Sequence, residues 1–203
     1  MNLKLKVKQH LKENKWHYIL LISIFVLGMF LGYQKVYSLQ GEVKAHLLEL
    51  INNYLLGGYK GELSGNHIFL SAYFQQFKSI FLIWFLGLTV IGVPFILGVI
   101  FFRGFSLGFT VGFLVQEKAS AGVIVTILSI LPQNIVYIPL IIVWALIAIN
   151  FSVYIVKGRD SGGLPLTKGI IRYFILLVFF TTLIAVGILI EAYLSPWFLG
   201  LIL

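Results

Sequence analysis

Long apolar runs separated by short polar segments make up most of the chain. The apolar runs cover residues 18–37, 80–102, 104–115, 119–156 and 170–190. A helix needs about 20 predominantly apolar residues to cross the hydrocarbon core of a bilayer. The pattern therefore predicts an all-α fold, a polytopic membrane helix bundle with about five transmembrane helices.

The central part of the chain does not divide cleanly into spans. Residues 119–156 are too many for one straight crossing, and Leu131-Pro132-Gln133-Asn134 interrupts them. Pro132 lacks a backbone donor, and irregular backbone at membrane depth must be enclosed by protein or line a cavity. We expect a helix break at Pro132, Gln133 and Asn134, followed by a full span from about residue 135. Residues 104–131 either cross the membrane or form a re-entrant segment.

Two sets of glycines are spaced four residues apart. Gly104, Gly108 and Gly112 follow the second long run, and Gly28 and Gly32 lie in the first. On a helix, each set forms a face without side chains, which allows another helix to approach to backbone contact in lipid. We predict that these five glycines are helix-packing positions.

The domain organisation follows from two polar regions. Residues 1–17 form a basic tail, and residues 18–203 form a single transmembrane domain with an outer loop at 38–78. That loop contains two amphipathic pieces with an aromatic stripe. Aromatic residues are enriched at the cores of protein interfaces, so the stripe is a candidate partner-binding surface, made of Tyr54, Phe69, Tyr73, Phe74 and Phe77. The alternatives are that it lies at the lipid interface or packs on loops of its own protein.

Composition and charge support a membrane protein and set its orientation. The chain has 203 residues, 60% of them hydrophobic and 11% charged, and no cysteine, whereas soluble domains carry about 25% charged residues. The formal net charge of +8 resides beside apolar runs, so lipid rather than nucleic acid explains it. Ten of the 15 lysines and arginines fall on the side of the amino terminus, counting Arg103 as a cap. The positive-inside rule then places the amino terminus in the cytoplasm.

The sequence points away from catalysis. Gly104-Phe105-Ser106-Leu107-Gly108 fits the Gly-x-Ser-x-Gly pattern of a nucleophile elbow, but that motif needs a strand-to-helix turn and a histidine base. The surroundings predict a membrane helix instead, and every histidine lies outside the apolar runs. Histidines and carboxylates are not spaced as metal ligands on one helix. We expect no enzyme activity, no cofactor and no metal site, with Arg103 and Glu191 at the ends of spans rather than inside them.

Three segments carry a family resemblance. They are Arg103-Gly104-Phe105-Ser106-Leu107-Gly108-Phe109, Leu131-Pro132-Gln133-Asn134 and Glu191-Ala192-Tyr193-Leu194-Ser195-Pro196. In this order and spacing they resemble stage II sporulation protein M, over nearly the whole chain. Members of the wider family often have histidine and glycine after the Leu-Pro pair, where this chain has Gln133 and Asn134.

The resemblance implies a role in engulfment, when the mother-cell membrane migrates around the forespore. The family protein is a polytopic component of that membrane. It is thought to anchor and localise two peptidoglycan-degrading partners, stage II sporulation proteins D and P. The expected function is therefore a non-enzymatic scaffold, and self-association into a homo-oligomer is compatible with it.

A small membrane transporter or permease subunit is the alternative function. Broken helices near mid-membrane are a feature of transporter binding sites, and the Pro132 region fits that description. Ion or proton transport also requires ionisable residues inside the spans, which the apolar runs do not offer. A polar cavity that reaches Gln133 and Asn134 would favour the transporter, and enclosure by packed side chains would favour the scaffold.

Overall fold

The computed structural model describes residues 9, 12–59, 65–157, 166–194 and 197, without the side chains of 54–59, 65, 67 and 157. Within these ranges, the helices with defined bounds are α1 (Lys15–Lys35), α2 (Gly41–Tyr59), α3 (Gly65–Gly87), α4 (Gly92–Val125), α5 (Leu131–Lys157) and α6 (Leu166–Leu189). A 3-10 turn at Val36–Ser38 extends α1, and π-helical turns occupy Thr126–Ile130 and Ile190–Leu194. No strand occurs in these ranges, and the prediction of an all-α membrane bundle is confirmed.

Four stretches are long and apolar enough to cross a membrane: Lys15–Ser38, Ile68–Gly87, Gly92–Val156 and Leu166–Leu194. The third has 65 residues, about three times the length that one crossing needs. It reverses direction at Ala119, where φ is 47° and ψ is −122°. Beyond this reversal, Gly122 returns against the carbonyl group of Leu114. The chain therefore passes through the bundle five times, and the protein is a multi-pass membrane protein.

Polar contacts define the two ends of the bundle. At the amino-terminal end, Asn150 Nδ2 donates to Asn14 Oδ1 (3.1 Å). At the opposite end, Lys44 Nζ lies 2.7 Å from Glu117 Oε1, and Lys118 Nζ donates to Asn52 Oδ1 (2.6 Å). The opposite end therefore contains α2 and the reversal at Ala119.

The second span lies earlier in the chain than predicted. The expected span 80–102 is wrong, because α3 ends at Gly87 and α4 begins at Gly92 after a tight turn. In the turn, the Thr89 hydroxyl donates to Leu86 O (2.9 Å). Pro94 causes no break because it falls in the first turn of α4, where its missing N–H has no helical partner to lose. The turn residues are themselves mostly apolar, so hydropathy alone did not reveal it.

The chain around Pro132 remains helical. The predicted interruption there is replaced by the π-helical turn Thr126–Ile130, which leads directly into α5. A π turn has backbone hydrogen bonds between residues five apart, instead of four as in an α-helix, and can occur inside an α-helix without ending it. Asn134 Nδ2 donates to Ile130 O (2.8 Å), so its amide satisfies a backbone carbonyl beside the irregularity. The sharp reversal lies at Ala119 instead.

Two of the largest buried side chains, Trp144 and Tyr173, lie together in the core. Trp144 and Tyr173 are fully or nearly fully buried and stack with ring centroids 5.4 Å apart. Trp144 Nε1 donates to Ile80 O (3.0 Å), and Tyr173 OH donates to Trp84 O (3.2 Å). The polar atoms of both large rings thus bond to α3, which joins α3, α5 and α6 in one layer.

Helices α1 and α4 approach to backbone contact through glycines. All the predicted packing positions lie in this interface: Gly28, Gly32, Gly104, Gly108 and Gly112. A methyl group on Gly28 would collide with Phe101 O, and one on Gly108 would collide with Met29 O. At Gly112 the nearest atom to an added methyl would be Tyr33 Cδ2, at 2.8 Å. The side-chain-free faces predicted from the spacing therefore pack against each other within one chain.

Candidate functional site

A polar chamber of about 240 Å³ lies in the half of the bundle that is opposite the amino-terminal end. All five passes contribute to its wall: Phe25, Gln75, Gln76, Arg103, Ser106, Leu107, Thr110, Ile130, Gln133, Asn134, Tyr137 and Glu191. We call it the Arg103 chamber. A polar cavity within membrane-spanning helices is the feature that most clearly distinguishes this bundle from a purely structural one.

Arg103 lies inside the membrane span, not at its end. Because α4 begins at Gly92, eleven residues place Arg103 about 16 Å along the helix axis. Its Nη2 atom donates to Gln76 Oε1 of α3 (2.7 Å), and its guanidinium carbon lies 5.7 Å from the centre of the Tyr137 ring on α5. The predicted cytoplasmic cap is therefore wrong, and the error follows from the misplaced second span.

Glu191 also faces this chamber and was expected outside it. It lies in the π-helical turn that ends the last span, and Tyr137 OH donates to its Oε2 atom (2.7 Å). Gly187, one turn earlier, leaves the space that the Tyr137 ring occupies, since a Cβ there would collide with that ring. Arg103 and Glu191 are thus connected through Gln76 and Tyr137. This network links α3, α4, α5 and the π-helical turn that follows α6.

This network gives the buried charges of Arg103 and Glu191 the hydrogen-bond partners that they need. An ionised side chain in a membrane span is costly unless it is hydrogen-bonded or paired within the bundle. Gln76 is 5% exposed and Tyr137 is 2% exposed, so both bridging groups are themselves removed from lipid and water. The amides predicted at the helix break, Gln133 and Asn134, line the same chamber. Their neighbour Pro132 belongs to the first turn of α5.

Helix α2 is the most exposed element of the described chain. Over residues 41–53 no side chain is fully buried, and the apolar residues Val43 and Leu50 are 45% and 52% exposed. Two polar contacts attach it to the bundle, Lys44 with Glu117 and Asn52 with Lys118. The helix therefore presents apolar side chains while these contacts fix its position at the opposite end.

The predicted aromatic stripe lies on a membrane span rather than in a loop. The span on α3 begins at Ile68, so the exposed outer segment is shorter than the predicted 38–78. Phe69, Tyr73 and Phe77 stack in sequence, with ring centroids 6.4 and 6.2 Å apart. Phe69 and Tyr73 pack against the core, and Phe74 is 58% exposed. The side chain of Tyr54, on α2, lies outside the described part.

Ser106 does not have the geometry of a nucleophile elbow. It lies within a continuous helical stretch of α4, and its carbonyl accepts a hydrogen bond from Thr110 Oγ1 (2.9 Å). The two flanking glycines of the motif are the ones that contact α1. Within the described ranges, no three His, Asp or Glu side chains are grouped as metal ligands.

The family model for stage II sporulation protein M matches residues 21–196. The chain belongs to this family. No curated protein and no solved structure matches it. The matched range includes most of the first pass, the other four passes and every residue of the Arg103 chamber. Membership in this family identifies the chain as a sporulation-related membrane protein.

Sequence reasoning missed Gln76 and Tyr137 as site residues and misplaced Arg103 and Glu191. A signal was present, because a lone arginine between two apolar runs is itself a mark of an intramembrane site. Recognising it required the turn after Gly87, which would have shifted α4 and moved Arg103 to the interior. Gln76 and Tyr137 gave no such signal, since each is one polar residue in a helix with other polar or aromatic residues.

Proposed function

We propose that this protein is a non-enzymatic membrane scaffold that anchors and localises peptidoglycan-degrading partners during forespore engulfment. Family membership supports the link to sporulation. The observation that carries the proposal is α2, an exposed amphipathic helix fixed to the end of the bundle by the Lys44–Glu117 and Lys118–Asn52 contacts. The proposed partners are the stage II sporulation proteins D and P, in the mother-cell membrane.

Orientation determines which compartment α2 faces. The excess of lysine and arginine around the amino-terminal end favours the cytoplasm for that end. Because one pass, α1, separates α2 from the amino terminus, α2 then lies on the outer side, where enzymes that degrade cell wall act. Exposed apolar side chains on a fixed helix fit the requirements of helix-in-groove recognition, in which residues three, four and seven apart provide anchors. Val43 and Leu50 have that spacing of seven.

Substitution of these two anchors tests the proposal. The double variant Val43→Ser and Leu50→Ser should recruit at least about tenfold less hydrolase, because fully burying one valine or leucine side chain contributes about 1.5–3 kcal/mol. Recruitment is measured by co-purification from sporulating cells, with membrane insertion checked by fractionation. The double variant Val90→Ser and Ile91→Ser is the matched control, since it also removes two exposed apolar side chains, but from the turn at the amino-terminal end. Undiminished recruitment by an inserted double variant would contradict the α2 docking model.

The Arg103 chamber favours a second candidate, a small permease subunit. A polar cavity reaches Gln133 and Asn134, and charged residues lie inside the spans, which are transporter features. The chain has no cysteine, so a single Thr110→Cys variant reports cleanly on access to the chamber. A membrane-impermeant maleimide is added to right-side-out vesicles and, separately, to inverted vesicles. Labelling of the cysteine in both preparations would support the permease. Labelling in just one of the two preparations would support the scaffold.

A further inference from the structure

The Arg103 chamber has a larger apolar neighbour. A groove of about 850 Å³ lies between α1, α4 and the segment that joins the π turn to α5. Its wall is almost wholly apolar and includes Val26, Met29, Val111 and Ile135. Four residues line both spaces: Phe25, Leu107, Ile130 and Asn134. The two cavities therefore adjoin at these four residues, one with a polar wall and the other with an apolar wall.

A polar cavity and an apolar groove that adjoin have together the chemistry that an amphiphile needs. Ligand sites are mainly apolar and have a few polar groups that set orientation, and the groove and the chamber provide these two components. We propose that the groove and the Arg103 chamber together bind one phospholipid with a compact amino-bearing head, a phosphatidylethanolamine. The inference concerns a binding site in the membrane and does not rest on the scaffold function.

Arg103 provides the group that recognises the phosphate. A guanidinium has five N–H donors and matches phosphate oxygens bidentately. The contact with Gln76 uses one of those donors. Tyr137 holds the guanidinium in place by lying under it. A phosphate in the chamber would thus meet a positioned cation in a site of low dielectric, where its charge-assisted hydrogen bonds are strongest.

Glu191 selects the rest of the head. Its Oε2 atom accepts from Tyr137, and a carboxylate has a second oxygen that can accept from an ammonium group. One cation and one anion in the same chamber match a zwitterion better than a head with net negative charge. A choline head lacks N–H donors and is bulkier, so it satisfies Glu191 less well in about 240 Å³. Diacylglycerol lacks the phosphate altogether.

Binding of defined lipids to the purified full-length chain tests this inference. The chain is stripped of lipid in detergent, and each lipid is titrated while native mass spectrometry counts the bound molecules. With matched acyl chains, phosphatidylethanolamine should bind at one molecule per chain, with a Kd at least about tenfold lower than phosphatidylcholine or diacylglycerol, the effect of one charge-assisted bond. Arg103→Gln should remove that preference. Equal binding of all three lipids would show only a non-selective acyl layer and would overturn the proposal.

Two further measurements separate the groove from the chamber. Val111 lines the groove but not the chamber, so Val111→Phe narrows the groove alone. This variant should weaken phosphatidylethanolamine binding by about tenfold. Phe102→Leu is the control, because Phe102 is exposed and lines neither space, and it should leave the Kd unchanged. Free phosphoethanolamine should bind far more weakly than the lipid, and equal binding would contradict a role for the groove. If Arg103→Gln does not fold, the wild-type lipid series and Val111→Phe still decide the question.

Discussion

Arg103 and Glu191 are the two residues whose environment most determines the character of this protein. Both are ionisable, and both lie in membrane-spanning helices with hydrogen-bond partners from other passes. Removing one partner of a buried charge network typically costs about 3–5 kcal/mol, whereas apolar replacement of a whole network can be neutral. A bundle that needed only stability could have used apolar residues here. The two charges are therefore the residues that suggest a ligand.

Gly108 provides the sharpest test at the scale of a single residue. A Cβ there would collide with the backbone carbonyl of Met29 on α1, which cannot move aside as a flexible side chain could. Gly108→Ala should lower the unfolding temperature and reduce the free energy of unfolding by about 1–3 kcal/mol, the range for overpacking. The measurement is thermal unfolding of the purified chain in detergent.

Gly98→Ala is the matched control for that substitution. Gly98 lies on the same helix, and a methyl group added there would meet nothing within 4 Å, so alanine should be neutral or stabilising at this position. If both variants unfold at the same temperature, α1 and α4 are not held at backbone contact through this face.

At the scale of elements, the five-pass arrangement depends on how α4 begins and ends. The apolar runs and the glycine spacing contain enough information to predict the helices and the α1–α4 contact, because both depend on local periodicity. The turn at 88–91 and the reversal at Ala119 could not be predicted that way. Residues 88–91 are nearly as apolar as the helices they join, and Ala119 is a good helix former that adopts positive φ under tertiary constraint. The misplacement of Arg103 follows from the first of these turns, because it sets where α4 begins.

Ala119 therefore gives a prediction about the reversal itself. Its φ of 47° and ψ of −122° resemble the first central position of a type II′ turn, which glycine prefers. Ala119→Gly should raise stability by about 1 kcal/mol, and Ala119→Val should lower it, because a β-branched residue tolerates positive φ poorly. Thermal unfolding of both variants provides the measurement. The opposite order of the two unfolding temperatures would mean that the chain does not reverse at this residue.

At the scale of the whole molecule, the bundle has two unequal halves. The half at the amino-terminal end contains the packed rings of Trp144 and Tyr173 and a cavity of about 370 Å³ beside Tyr173. The opposite half contains the chamber, the groove and α2, so the features with functional potential lie together. This division was not visible in the sequence, since it depends on contacts such as Trp144 with Ile80, which lie 64 residues apart.

Topology reporters test the orientation of these halves. A reporter fused after residue 60 should be active outside the cell membrane, and one fused after residue 160 should be active in the cytoplasm. The reason is that an odd number of passes, three, separates the two positions, and the basic residues favour the cytoplasm for the amino-terminal end. Activity of both fusions on the same side would be incompatible with five passes.

The central claim is that α2 presents a docking surface to wall hydrolases, and site-specific photocrosslinking in sporulating cells tests it most directly. A photoreactive amino acid at Leu50, which is 52% exposed on α2, should crosslink to a peptidoglycan-degrading protein. The same amino acid at Phe102, which is exposed on the lipid-facing side of α4, should not. Crosslinks to hydrolases from Leu50 alone are the predicted result. Crosslinks from Phe102 alone, or from neither position in a correctly inserted protein, would contradict the account.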